Sequence, residues 1–227
     1  MRKFYQFGEA MIMTKKGIVS LKLSPEPLEF EPISEIEIME DKAMRLIKEG
    51  DIRKGRIILS DLYKKGDYWA GNTYAYGLQC GWFGKREYKK AFEIYFDCAK
   101  NGESGAMNNL GFSYSNGLGV KKDIALAIHW YERAMEAGFL DAKNNLALEL
   151  LYAPGNLRDY ERAYALVSDK SMANDANALN TLGRIYEEGY GVPVDLHKAY
   201  DYYKMAVKIG GCPTAKHNLE RFIVKKK

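Results

Sequence analysis

No stretch of 18 apolar residues occurs in the 227-residue chain, so no membrane-spanning helix is expected. The N-terminus does not read as a secretory leader either. After Met1-Arg2-Lys3, the residues Gln6, Gly8 and Glu9 interrupt the apolar run that such a leader needs, and a cytoplasmic location is expected. Cysteine is scarce: Cys80, Cys98 and Cys212 are odd in number, without C-x-x-C spacing or a histidine at metal-ligand distance. They read as reduced, buried or half-buried thiols rather than a disulfide framework or a metal site. His129, His197 and His217 stand too far apart in register for a catalytic pair or a metal site, so surface or packing roles are expected, with no cofactor. The formal charge of +4 is too small to imply nucleic acid by itself. It is unevenly spread, because residues 23–41 hold Glu26, Glu29, Glu31, Glu35, Glu37, Glu40 and Asp41 with no Lys or Arg, which is −7 locally and leaves +11 elsewhere.

With 47% hydrophobic residues the chain can bury a core, and that core is periodic. Leu110-Gly111 is followed by Tyr114, Gly117, Gly119, Val120, Asp123, Ala127, Trp130, Tyr131, Ala134 and Gly138. Seventy-two residues later come Leu182-Gly183, Tyr186, Gly189, Gly191, Val192, Asp195, Ala199, Tyr202, Tyr203, Ala206 and Gly210. Half that interval matches more weakly at Leu146-Ala147, Gly155, Asp159 and Ala163, so the period is 36. Self-similarity at such a period marks a repeat architecture.

Each unit reads as two antiparallel helices. Ala106, Leu110 and Tyr114 form one apolar stripe, with Gly111 beside it where a neighbouring helix can approach. Gly117 to Val120 breaks that helix, and Asp123, Asp159 and Asp195 are placed to cap the second helices. Neither helix covers its own apolar face, so units must stack. The fold expected is all-α: a right-handed superhelical solenoid of about five helix-pair units (about 34–69, 70–105, 106–141, 142–177 and 178–214) closed by a capping helix over 215–224. Ser34 and Glu37 form a capping box for a first helix running to about Glu49. Residues 1–33 are expected to form a small hairpin or extended arm. Met11 to Met13 can pair with Val19, Leu21 and Leu23 across Lys15-Lys16-Gly17, and Pro25, Pro27 and Pro32 prevent a helix before Ser34.

The string Leu-Gly-x-x-Tyr-x-x-Gly-x-Gly-Val-x-x-Asp-x-x-x-Ala-x-x-Trp-Tyr-x-x-Ala-x-x-x-Gly at 110–138, repeated at 182–210 with Tyr202 for Trp, closely resembles the Sel-one-like repeat (SLR) family, relatives of the tetratricopeptide repeats. The resemblance covers roughly 70–215. It implies adaptors and scaffolds that hold protein partners in bacterial signalling, secretion and virulence, some of them immunity partners of interbacterial toxins. A secreted branch with paired cysteines in every unit has been linked to penicillin binding, and this chain lacks those pairs. The unit at 142–178 departs from the pattern, with Ala147 for Gly and Ala153-Pro154-Gly155-Asn156 at the turn, so its second helix is expected to pack less tightly.

In such a stack the first helices line the concave surface. Asn72, Asn108, Asn144 and Asn180 recur there at 36-residue spacing, and a carboxamide can either hold extended peptide backbone or bridge neighbouring units. Tyr76, Phe112, Leu148 and Arg184 follow four residues on in each unit, with Gln79, Tyr152, Glu187 and Glu188 farther along that face. The candidate partner-binding residues are therefore Asn72, Tyr76, Gln79, Asn108, Phe112, Asn144, Asn180, Arg184 and Glu187. Catalytic and metal residues are not assigned. Gly117-x-Gly119 lacks the strand and Lys-Ser/Thr pair of a phosphate loop, and Glu187-Glu188 would point apart on a helix. Lys85-Arg86, Lys89-Lys90 and Lys121-Lys122 lie near inter-helix turns, as a solvated rim or as a face for an acidic partner.

The function expected is an adaptor, not an enzyme, binding another protein in its groove: a toxin, as an immunity protein, or a signalling or secretion component. A cell-wall hydrolase has no readable nucleophile and base. Acidic-ligand or nucleic-acid binding through the +11 region is a third class, and there the aromatic and basic residues do not interleave on one face. The acidic arm could also occupy the groove until a partner displaces it.

Overall fold

The helices begin where the proline-bearing stretch ends. In a computed structural model, which describes residues 2–6, 9–14, 17–22 and 34–225 and side chains from Ser34 to Phe222, Ser34 and Glu37 close the capping box. The Ser34 N–H donates to Glu37 Oε2 at 2.9 Å and the Glu37 N–H donates to Ser34 Oγ at 3.2 Å. Leu23, Glu26, Glu29, Glu31, the three nearby prolines and the Lys15-Lys16 turn lie outside the described residues. The chain divides into two units, Met1–Ile38 and Met39–Lys227.

The first unit carries a three-stranded antiparallel sheet of β1 (Arg2–Gln6), β2 (Glu9–Thr14) and β3 (Gly17–Lys22) in that order. Strand β2 pairs with β3, with Met11 opposite Ser20 and Ile12 opposite Val19. The sequence reading did not include the third strand, β1, which lays Phe4 opposite Met11.

The second unit is built of helix pairs. After α1 (Glu35–Lys48) and α2 (Ile52–Lys64) come α3 (Tyr68–Cys80) with α4 (Tyr88–Lys100), α5 (Ser104–Asn116) with α6 (Ile124–Glu136), and α7 (Ala142–Tyr152) with α8 (Tyr160–Ser168). Next come α9 (Ala176–Glu188) with α10 (Leu196–Ile209), and α11 (Pro213–Lys225) packs on both of the last two. Local chemistry sets the boundaries. Asp123, Asp159 and Asp195 each accept the backbone N–H two or three residues on, satisfying donors at a helix start that have no partner within the helix. Asp67, Glu103 and Asp175 do the same for first helices α3, α5 and α9.

In the pairs α5–α6 and α9–α10 an aromatic ring of the second helix lies where the first helix has glycine. A Cβ on Gly111 would stand 2.7 Å from the Tyr131 ring, and one on Gly183 would stand 2.5 Å from Tyr203. The resulting core runs from Ala43 to Phe222 in two clusters that share α6 and are bridged by Tyr114. Unit four differs, as its sequence suggests. The backbone turns extended at Ala153 (ψ 147°) instead of closing on a left-handed glycine, α8 is only 9 residues long, and buried Met172 on a following 3₁₀ turn fills the space beside it.

Burial also decides thiol chemistry. Cys98 is buried against Gly71, and loss of solvent around it, reinforced by the charge of Asp97, pushes its thiol up to about 12. At pH 8 the reactive thiolate is then on the order of 10⁻⁴ of the population. Iodoacetamide at that pH should label the native protein at half-buried Cys80 and Cys212 and reach Cys98 only in denaturant. Three adducts per native chain in mass spectrometry would contradict this.

Candidate partner-binding surface

The first helices of successive pairs touch one another, α3 with α5, α5 with α7 and α7 with α9, and no pair of second helices comes as close. The first helices therefore line the inner side of the bend. Helical spacing and the 36-residue period together decide which side chains line that face.

The asparagine column is the most ordered feature there. Asn72 Oδ1 accepts from Asn109 Nδ2 at 2.8 Å, Asn108 Oδ1 from Asn145 Nδ2 at 2.8 Å, Asn144 Oδ1 from the Thr181 hydroxyl at 2.8 Å, and Asn180 Oδ1 from Asn218 Nδ2 at 2.9 Å. Each asparagine thus accepts a bond from the unit that follows, and Asn180 Nδ2 also donates to Thr214 Oγ1 at 3.3 Å. Asn144 and Asn180 are buried and Asn72 and Asn108 half-buried. Of the two roles open to a carboxamide column, these contacts are those of a bridge between units.

Two other candidates are turned inward. Gln79 is 8% exposed. The Glu187 carboxylate is buried, accepting from the Tyr203 hydroxyl at 2.7 Å and from Arg221 Nη2 at 2.6 Å, and so ties α9 to α10 and α11. A carboxylate held by a buried hydroxyl and a guanidinium is part of the frame.

What remains open is aromatic. Tyr76 and Phe112, one period apart, are each 42% exposed, and in the next two units Leu148 and Arg184 are half-buried. The Arg184 guanidinium lies 4.9 Å from the ring centroid of Tyr152, which is 44% exposed. Trp69, two helical turns before Tyr76 on the same stripe, is also exposed, and Trp82 meets Tyr76 edge-on at 5.2 Å. The sequence reading missed both tryptophans, although seven-residue spacing to Tyr76 marks Trp69. Among the described residues no group of three His, Cys, Asp or Glu side chains is arranged to hold a metal ion, and no helix is long and apolar enough to cross a membrane.

Residues 104–139, 140–167 and 176–210 match the Sel1 repeat model. The chain carries three Sel1 repeats. Members of this repeat family generally mediate protein–protein interaction on a scaffold fold. The Sel1-repeat chain is 26% identical to a Sel1 repeat protein from Oxalobacter formigenes, with a TM-score of 0.66 over 80% of this chain and 74% of that one. It shares its fold with immunity protein Pa5087 from Pseudomonas aeruginosa, at 20% identity and a TM-score of 0.55 over 85% and 80% of the two chains. Among curated relatives, it is 31% identical over 137 residues to chitin synthase regulatory factor 3 of Schizosaccharomyces pombe. That match takes in 58% of this chain but spans only 14% of the relative's length.

Proposed function

We propose that the chain is a non-catalytic protein-binding module whose inner helical face, centred on Tyr76 and Phe112 and extended by Arg184, takes a segment of a partner protein. The observation that supports this most is the recurrence of half-exposed aromatics on that face at one repeat period, although the frame has no packing use for their outer edges. Buried or bridging positions (Asn72, Asn108, Asn144, Asn180, Gln79 and Glu187) hold the face in register, and the aromatics and arginine supply contact energy, as these residue types do in most interfaces. With the partner identified by co-purification and titrated calorimetrically, Phe112→Ala should weaken binding ~30-fold, about 2 kcal/mol. Unchanged affinity for both Phe112→Ala and Tyr76→Ala, with helicity intact, would refute the face.

A narrower reading has support in the fold shared with an immunity protein over most of both chains. In this reading the partner is a toxin, and the module blocks it by direct binding. Co-expression with the product of the adjacent gene tests it: relief of that product's toxicity supports the reading, and undiminished toxicity removes it.

A further inference from the structure

The inner face does not account for a second feature, the edge where first helices turn into second helices in units two and three. Lys85, Arg86, Lys89, Lys90, Lys121 and Lys122 are all exposed there. The backbone brings the two clusters together. A Cβ on Gly119 would lie 2.8 Å from the Lys89 Cα, so the loop carrying Lys121 and Lys122 sits directly on the first turn of α4. Among the described residues none of the six cations has a carboxylate within ion-pair distance. Arg86 donates to the Tyr88 hydroxyl at 3.1 Å, and Lys90 Nζ lies 5.8 Å from the Tyr74 ring centroid. Of the carboxylates nearby in sequence, Glu87 pairs with Arg56 at 3.7 Å and Asp123 caps the start of α6, while exposed Glu93 in α4 is not within ion-pair distance of any of the six.

This concentration is not a property of every unit. One step of 72 residues along, the counterparts of Lys89, Lys121 and Lys122 are Glu161, Pro193 and Val194. Some cations elsewhere have partners, as in Lys143 with Asp169, Arg162 with Glu132 and Lys198 with Asp195. Like charges held side by side without carboxylate partners repel one another, so this edge costs the free chain some stability, offset within the chain only by the Arg86 hydroxyl contact and the Lys90 ring contact. The edge is also continuous with the aromatic face, because Trp82, three residues before Lys85, packs on Tyr76.

We infer that this cationic edge docks an acidic stretch of the protein partner, adjoining an apolar residue that reaches Tyr76 and Trp82. The inference rests on the protein-binding reading above and specifies the chemistry of its ligand. A nucleic acid fits less well, because its bases would need aromatic platforms between the cations, and the exposed rings lie to one side of them.

A fluorescein-labelled peptide alternating Glu with Leu is the probe, titrated by anisotropy at several salt concentrations. The wild-type chain should bind it with an affinity that falls as salt rises, and Lys89→Glu/Lys121→Glu/Lys122→Glu should lose at least ~10-fold. A control pair on α10, Lys204→Glu/Lys208→Glu, should match wild type. Absence of binding, equal loss in the control, or tighter binding of a single-stranded oligonucleotide of the same charge would each overturn the inference. The two readings separate with the native partner. Loss on Phe112→Ala with none on the triple reversal retains the aromatic face and removes the acidic ligand, and loss on none of Phe112→Ala, Tyr76→Ala and the triple reversal removes both.

Discussion

Gly119→Ala should cost about 4 kcal/mol in urea unfolding, and Gly117→Ala, two residues away, only about 1 kcal/mol. The two glycines have nearly the same backbone, with φ +74° and +70°, so both replacements incur the left-handed penalty for a side chain. They differ in space. A Cβ at 119 would stand 2.2 Å from the carbonyl oxygen of Tyr88 and 2.5 Å from its carbon, where nothing can give way but backbone. At 117 the nearest atom is Lys122 Cβ at 3.5 Å, an ordinary contact. The difference of about 3 kcal/mol therefore measures how closely unit three sits on unit two. Equal losses would mean that the loop can lift away from α4.

The second large effect is expected at Glu187. Replacing it with alanine leaves the hydroxyl of fully buried Tyr203 without its acceptor and Arg221 without its counter-charge, a loss of about 3 kcal/mol. Glu187→Gln keeps an acceptor for Tyr203 and should lose about 1 kcal/mol. A residue whose work was to meet a partner would behave oppositely, with stability unchanged and affinity reduced. Calorimetric melting of the two variants separates these outcomes, and an unaltered transition for Glu187→Ala would return the residue to the binding face.

How much could be read from sequence depended on the range of the interaction. Asp123, Asp159 and Asp195 act on N–H groups two or three residues away, so their role was legible from spacing alone. The same holds for Ser34 with Glu37 and for Gly111, whose place beside a stripe foretold a close neighbour. The asparagines were legible as a column but not as bridges, because periodicity states that a residue recurs and not what it touches one unit away. Glu187 meets Arg221 across 34 residues, outside any local pattern, and its sequence neighbours gave it the look of a groove residue. Gln79 was misplaced for a related reason: helical phase puts it near the inner face, and its burial depends on neighbours in space that phase does not name. Strand β1 has no apolar run of its own to announce it.

The asparagine bridges have a consequence for how such a chain changes length. Three of the four joints use the same offset of 37 residues, an acceptor on one unit and a donor one place past its counterpart on the next. A duplicated or transplanted unit that brings both halves of the joint will couple at either end without further adjustment. The closing joint at Asn218 stretches the offset to 38, so the terminal helix accepts the same coupling with a small shift in register. Evolution or a protein engineer can therefore lengthen the binding face in whole steps, holding each junction constant while varying the residues exposed between them.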